Sequence, residues 1–139
     1  YAQEILTKIN KVRQKEGLPL LSFNLSLMRA ARGHSAHMLQ RGHFSHLGAD
    51  KSTFSERINK AEYLCLEAAE NIAFCPLDAR RVFQIWMNST PHRRNILSPA
   101  IVHLGVAAAP ESKLKSRDNH YWTLNLAAPL QFEDIKRRA

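Results

Sequence analysis

The chain has 139 residues, 45% of them hydrophobic, which suits one ordinary globular domain spanning 1–139 with a buried core. No apolar run approaches the ~20 residues needed to cross a bilayer, and the opening at Tyr1 enters a helical pattern with no signal-peptide pattern before it. A formal net charge of +8 favours acidic partners, but the basic groups are short (Arg80-Arg81, Arg93-Arg94, Lys136-Arg137-Arg138) and no nucleic-acid motif accompanies them. A solvated basic surface is therefore expected in place of a nucleic-acid groove.

In chain order, Ile5, Ile9 and Val12 recur at helical spacing and Gly17 can turn left-handed behind them, which predicts a helix over Ala2 to Glu16. Leu18-Pro19-Leu20 makes an extended link to Asn24, the expected N-cap of a second helix that runs to about Arg41 and ends at Gly42. Ser52 is expected to cap a shorter helix through Lys60. Residues 66–74 set apolar positions around Glu70 and Asn71 and read as a short strand.

Asp78 is expected to cap the next helix, whose Val82, Ile85, Trp86 and Ser89 share one face, so that Ser89 looks inward. Leu104, Val106 and Ala108, and later Trp122, Leu124 and Leu126, alternate with their neighbours and predict two strands. ESKLKSRDN between them reads as a solvated hairpin loop, and no internal repeat is present. Cys65 and Cys75 match no zinc-finger spacing; a disulfide and two free thiols both remain open.

Four of the seven histidines crowd into RGHSAHMLQRGHFSH. His34 falls within the helical stripe of Leu27, Ala31 and Met38, so hydrogen-bonded packing is expected for it, and solvent exposure for His37. His43 and His46 follow Gly42, outside the helix, where loop histidines more often meet ligands. Glu70 in AAENIAF and a further loop histidine, His92, join His46 as three polar groups from three segments that can form one site.

The ordered set GHFSH, AENIAF, WMNSTPHRRNIL, HLGVAAA and HYWTLNLA resembles the CAP family, also called the sperm-coating-protein (SCP) domain, in its bacterial form. The resemblance spans nearly the whole chain and implies an α/β fold, a three-layer α-β-α sandwich with a central antiparallel sheet. Of the two histidines and two acids in that family's cleft, His46, Glu70 and His92 carry over. Ser89 stands where the second acid would be, which argues against an activity needing two carboxylates. Ala69, Ala107 and Leu124 also depart from the family pattern.

Within WMNSTPHRRNIL, the helix from Asp78 is expected to end around Ser89. Pro91 should stop its continuation, hold Thr90 out of helix, and begin a short new helix, PHRRNILS, that aims His92 at the cleft. Arg93 and Arg94 read as structural or solvated, and Asn95 and Asn71 as supports that bond backbone behind the site. Two imidazoles and one carboxylate can bind Zn²⁺ with a position left for water. Glu70 can serve as third ligand or as base, but not easily as both. A Ser89–His92 nucleophile–base pair lacks an evident third group to orient the base.

The resemblance implies a secreted or periplasmic domain whose His/Glu cleft binds a ligand, with a divalent metal optional and His46 and His92 as its zinc ligands where one is bound. The alternatives are a metal-dependent hydrolase of peptide or cell-wall material, and a lipid or sterol carrier. The expected partner is an acidic cell-surface or cell-wall component, a lipid or a peptide.

Overall fold

The computed structural model describes residues 1–48, 50–111 and 118–131. Five helices and four strands follow one another along the described chain: α1 (Ala2–Lys15), β1 (Ser22–Phe23), α2 (Leu25–Arg41), α3 (Phe54–Lys60), β2 (Cys65–Pro76), α4 (Ala79–Met87), α5 (Thr90–Ile96), β3 (His103–Ala109) and β4 (Asn119–Pro129). Most of the ESKLKSRDN segment and the Lys136-Arg137-Arg138 triplet lie outside the described residues. No described helix is long and apolar enough to cross a membrane.

Helix ends follow the local chemistry. Gly17 and Gly42 take positive φ, +70° and +61°, behind α1 and α2, a conformation that only glycine adopts without strain. The Asn24 side chain accepts from Leu27 N–H at 3.0 Å, and that of Asp78 from Arg81 N–H at 3.2 Å, so both are the N-caps expected. The cap of α3 is Thr53 and not Ser52. Thr53 and Glu56 form a reciprocal capping box that satisfies two end N–H groups together.

The sheet order is β1-β3-β4-β2. Pairing of β3 and β2 with β4 is antiparallel, but β1, two residues anticipated only as part of a link, runs parallel to β3 at the edge. The sheet is thus antiparallel with one short parallel exception. Helices α1, α4 and α5 cover one face, where Ile5, Ile9, Val82, Trp86 and Ile96 meet Leu104, Val106, Trp122, Leu124 and Leu126. Helices α2 and α3 cover the other, through Leu27, Ala30 and Ile58 against Ala127. This is the three-layer α-β-α sandwich.

Covering both faces also buries residues that alternation alone would send to solvent, such as Ala107, Thr123 and Asn125. Close approach of α2 falls at Gly105: a Cβ there would collide with the backbone of Leu27 and Met28. On the opposite face Arg13 is fully buried, and its guanidinium donates to the carbonyls of Pro19 (2.8 Å), Ile96 (2.9 Å), Ser98 (2.7 Å) and Ile101 (3.4 Å). It ties α1 to the connection between α5 and β3, and burial pushes its pKa down.

Strand β2 is longer than the 66–74 segment predicted. Both cysteines lie on it, Cys65 partly exposed and Cys75 buried, and both are free thiols. Ten residues of extended chain put them ~33 Å apart, beyond the ~7 Å Cα separation a disulfide tolerates. Burial raises the Cys75 thiol pKa to about 11.

Candidate functional site

Glu70 and Asn71 are adjacent on β2, so their side chains leave on opposite faces of the sheet. Each reaches one of the histidine-bearing segments. Glu70 opens toward α2 and α3 and meets His46, which sits in the connection between those helices; Asn71 opens toward α4 and α5 and donates its amide N–H to the His92 carbonyl at 3.1 Å. Asn95 Nδ2 donates to Asn71 Oδ1 at 2.9 Å, so Asn71 and Asn95 together fasten α5 to the sheet.

The Glu70 side chain is wholly buried. Its Oε1 accepts from His46 Nδ1 at 2.9 Å, and its Oε2 from the Arg57 guanidinium at 2.6 Å. Asn125, directly across the β2–β4 ladder, turns its amide nitrogen to Oε2 at 2.9 Å and its oxygen to Ala31 N–H at 3.3 Å, the orientation that satisfies both neighbours. Arg57 also donates to the His46 carbonyl at 2.8 Å and that of Ser52 at 2.9 Å, so one guanidinium holds both the carboxylate and the loop. With the side chain wholly buried and both oxygens engaged, Glu70 is placed to orient His46. A carboxylate accepting at Nδ1 keeps that nitrogen protonated and leaves the lone pair on Nε2.

His92 is held differently. Its Nδ1 lies 2.8 Å from Ser89 Oγ. Ser89 is the N-cap of α5 yet makes no side-chain cap bond, because its hydroxyl is directed at the imidazole. A hydroxyl can donate or accept, so Ser89 fixes the ring but not its tautomer. The pKa of His92 is lowered, first by burial and then by the nearby His46. The imidazoles therefore lie close enough for a charge on one to act on the other, and neither Nε2 has a hydrogen-bond partner among the described residues.

The local path to this geometry departs from expectation in two respects. Helix α4 ends at Met87, so Ser89 lies beyond its periodic face, and Ile85 is 41% exposed while Val82 and Trp86 are buried. Thr90 is helical despite preceding Pro91. Ser89 takes the extended conformation and its carbonyl accepts from Arg93 N–H at 2.8 Å, so the turn starts at Thr90 and Pro91 occupies a first-turn position where no N–H is required. Arg93 and Arg94 are exposed, as is His37.

His34 is 1% exposed; its Nε2 donates to Ser45 O at 2.7 Å and lies 3.9 Å from Glu70. It is a packed, hydrogen-bonded histidine, with its pKa lowered mainly by burial. Arg57 and Asn125 are the participants that sequence reasoning missed. Arg57 lies in a short helix among other charges and Asn125 in an apolar strand, and only the strand register reveals that Asn125 faces Glu70.

Among the described residues no three His, Cys, Asp or Glu side chains converge as a metal-binding group. His46 Nε2 and His92 Nε2 are nitrogen donors left without partners among the described residues, and an ion held by both would need water or a bound ligand to complete its shell. The Ser89–His92 contact has the spacing of a nucleophile and base, but no carboxylate among the described residues bonds His92.

Comparison with known proteins places these observations in a lineage. The family model for CAP, the cysteine-rich secretory protein family, matches residues 6–126. The chain is 30% identical over 123 residues to the uncharacterized membrane protein YlbC of Bacillus subtilis (strain 168), covering 88% of this chain and 33% of that protein. It is 32% identical over 106 residues to the uncharacterized protein YkwD of the same organism, covering 76% and 41%. It thus spans well under half the length of these curated relatives. Among solved structures, an extracellular protein containing an SCP domain from Bacillus anthracis str. Ames superposes with a TM-score of 0.79 at 30% identity, over 90% of this chain and 39% of that one. An outer surface protein from Borrelia burgdorferi superposes at 0.82 with 16% identity, over 93% and 92%, a likeness of fold alone.

Proposed function

The chain belongs to the CAP, cysteine-rich secretory protein, family, and from that premise we propose that it is the ligand-binding domain of an exported bacterial protein. Its ligand site is the His46–His92 cleft, which takes a divalent ion such as Zn²⁺. The observation that carries this reading is that both rings are held at Nδ1, His46 by Glu70 and His92 by Ser89, which leaves both Nε2 atoms for a ligand. Export is supported by the likeness to the extracellular SCP-domain protein at 30% identity.

His46 offers a fixed lone pair, because Glu70 keeps the proton on Nδ1. His92 can offer a lone pair or an N–H, because Ser89 accommodates either tautomer. When bound, Zn²⁺ would supply a Lewis-acidic anchor for an oxygen donor on the ligand. Binding is favoured over hydrolysis because Glu70, buried and engaged at both oxygens, is not free to take a proton from water.

Calorimetric zinc titration near pH 7.5 should show binding that is lost in both His46→Ala and His92→Ala and weakened at about pH 5.5, below the ordinary imidazole pKa of ~6.5. Zinc affinity unchanged in both variants would assign the metal elsewhere, to His34, His37 or His43, and overturn the reading. Incubation with peptide and peptidoglycan, with and without chelator, should give no metal-dependent cleavage; cleavage abolished by chelator would establish the hydrolase instead.

A further inference from the structure

Strand β2 ends the sheet order, so among the described residues one of its edges has no neighbouring strand. Two bonds fix which backbone groups face that edge. The Ile72 carbonyl accepts from Trp86 Nε1 at 3.1 Å, so Ile72 points away from β4, and the two-residue period of an extended strand sends Ala68 and Glu70 the same way. Strand β4 agrees: the Ala127 carbonyl accepts from Val102 N–H at 3.0 Å on the β3 side, and Ala127 lies opposite Ala68, with Asn125 opposite Glu70. In such a pair both residues turn their N–H and C=O groups away from each other.

This edge is closed at both ends. The Trp86 indole occupies the Ile72 carbonyl, and the register shift between Cys65 and Glu67 breaks the ladder at the other end. Between them the N–H and C=O groups of Ala68 and Glu70 have no partner among the described residues. The open stretch lies between the two histidine segments, because the Glu70 side chain runs to His46 and that of Asn71 to the His92 carbonyl. Glu70 is 4% exposed while its side chain is 0% exposed, so what reaches solvent there is main chain. Beside it Ala68 and Ala69 present only methyl groups, and Leu64 and Leu66 are exposed.

We infer that the cleft ligand is an extended peptide segment that pairs through its backbone with Ala68 and Glu70 and carries apolar side chains toward Leu64 and Leu66. The inference rests on the cleft being the ligand site and names the class of its ligand. Each of the two residues presents a donor and an acceptor side by side, and the pattern repeats ~6.6–6.8 Å along the edge, the repeat of another extended backbone. This is strand addition, in which main-chain bonds give affinity and alternate side chains give selectivity. The closed ends limit pairing to a short segment, which the twelve-residue β2 of a second copy would overrun.

The test is an amide NMR titration of the whole chain, in chelator, with a pool of capped hexapeptides that alternate threonine with valine, leucine or phenylalanine. Saturable shifts and slowed hydrogen exchange are expected at the Ala68 and Glu70 N–H groups. The same pool N-methylated throughout, which removes every backbone donor, should bind at least about tenfold more weakly. A pool alternating threonine with serine should also bind more weakly, for want of apolar side chains. Ala68→Pro removes an outward N–H at an edge position where proline is tolerated; it should weaken peptide binding at least about tenfold and leave zinc affinity within about twofold. The inference is overturned if the parent pool shifts neither amide, if either altered pool or Ala68→Pro binds as tightly as the parent combination, or if these amides shift with protein concentration alone, which would give the edge to a second copy. Zinc binding without peptide shifts would overturn this inference and leave the metal reading standing, and peptide shifts without zinc binding would do the reverse.

Discussion

Glu70 and Arg57 approach to 2.6 Å with the carboxylate wholly buried and the guanidinium side chain 10% exposed. A pair so placed is not strong evidence for stability in itself, but removing one partner strands the other charge out of water. Glu70→Gln should therefore destabilise the fold by about 3–5 kcal/mol in chemical denaturation. It should also reduce zinc affinity by about 10- to 100-fold, because the one amide oxygen is claimed by the donors Arg57 and Asn125 and the amide NH2 then faces His46 Nδ1, which reverses its tautomer. A variant with wild-type stability and zinc affinity would show that Glu70 neither anchors the loop nor orients His46. At His34 the consequence appears in the pH dependence. Burial lowers its folded pKa below the unfolded ~6.5, so in acid the unfolded chain takes up a proton that the folded chain resists. Its stability contribution is thus complete above about pH 6.5 and declines below it, and His92, lowered for the same leading reason, acts with the same sign. Denaturation midpoints from pH 7.5 to 5.5 should fall in the wild type and fall less steeply in His34→Leu; parallel slopes would remove His34 as a source.

At the scale of elements, β2 is the organising piece, because its two-residue period sends Glu70 to the α2–α3 side and Asn71 to the α4–α5 side. Trp86 Nε1 donates to the Ile72 carbonyl at 3.1 Å, which docks α4 on the same strand just beyond the site. Helix α5 then gives up its N-cap side chain to His92, and a serine cap of this kind is ordinarily worth ~1 kcal/mol. The α2–β3 contact is set by the absence of a side chain. Gly105→Ala would drive a Cβ into the Leu27–Met28 backbone, which cannot rotate away as a side chain can. It should destabilise by about 1–3 kcal/mol or more; a melting temperature equal to wild type would mean that α2 shifts freely on the sheet.

Across the whole molecule, the two cores are separated by a sheet buried on both faces. Trp86 and Trp122 are fully buried and meet edge to face with ring centroids 6.4 Å apart, joining α4 to β4 as their positions in the sequence suggested. Trp86→Ala should cost about 3–5 kcal/mol, and a loss under about 1 kcal/mol would contradict this burial. The elements themselves were legible because their causes are local: Asn24 and Asp78 as caps, Gly17 and Gly42 as stops, and apolar residues at helical or alternating spacing. Motifs in order also singled out His46, Glu70 and His92, of which His46 and Glu70 are joined by a hydrogen bond. What those residues do to one another was not legible, because the partners lie far apart in the chain: Asn125 meets Glu70 by strand register, Arg57 by the docking of α3, and β1 finds its parallel partner in β3 across all the elements between them. The cysteines show the same division. Spacing of ten residues left a bridge open, and only their placement on one extended strand separates them, since distance in a fold depends on backbone conformation and not on the count of residues between.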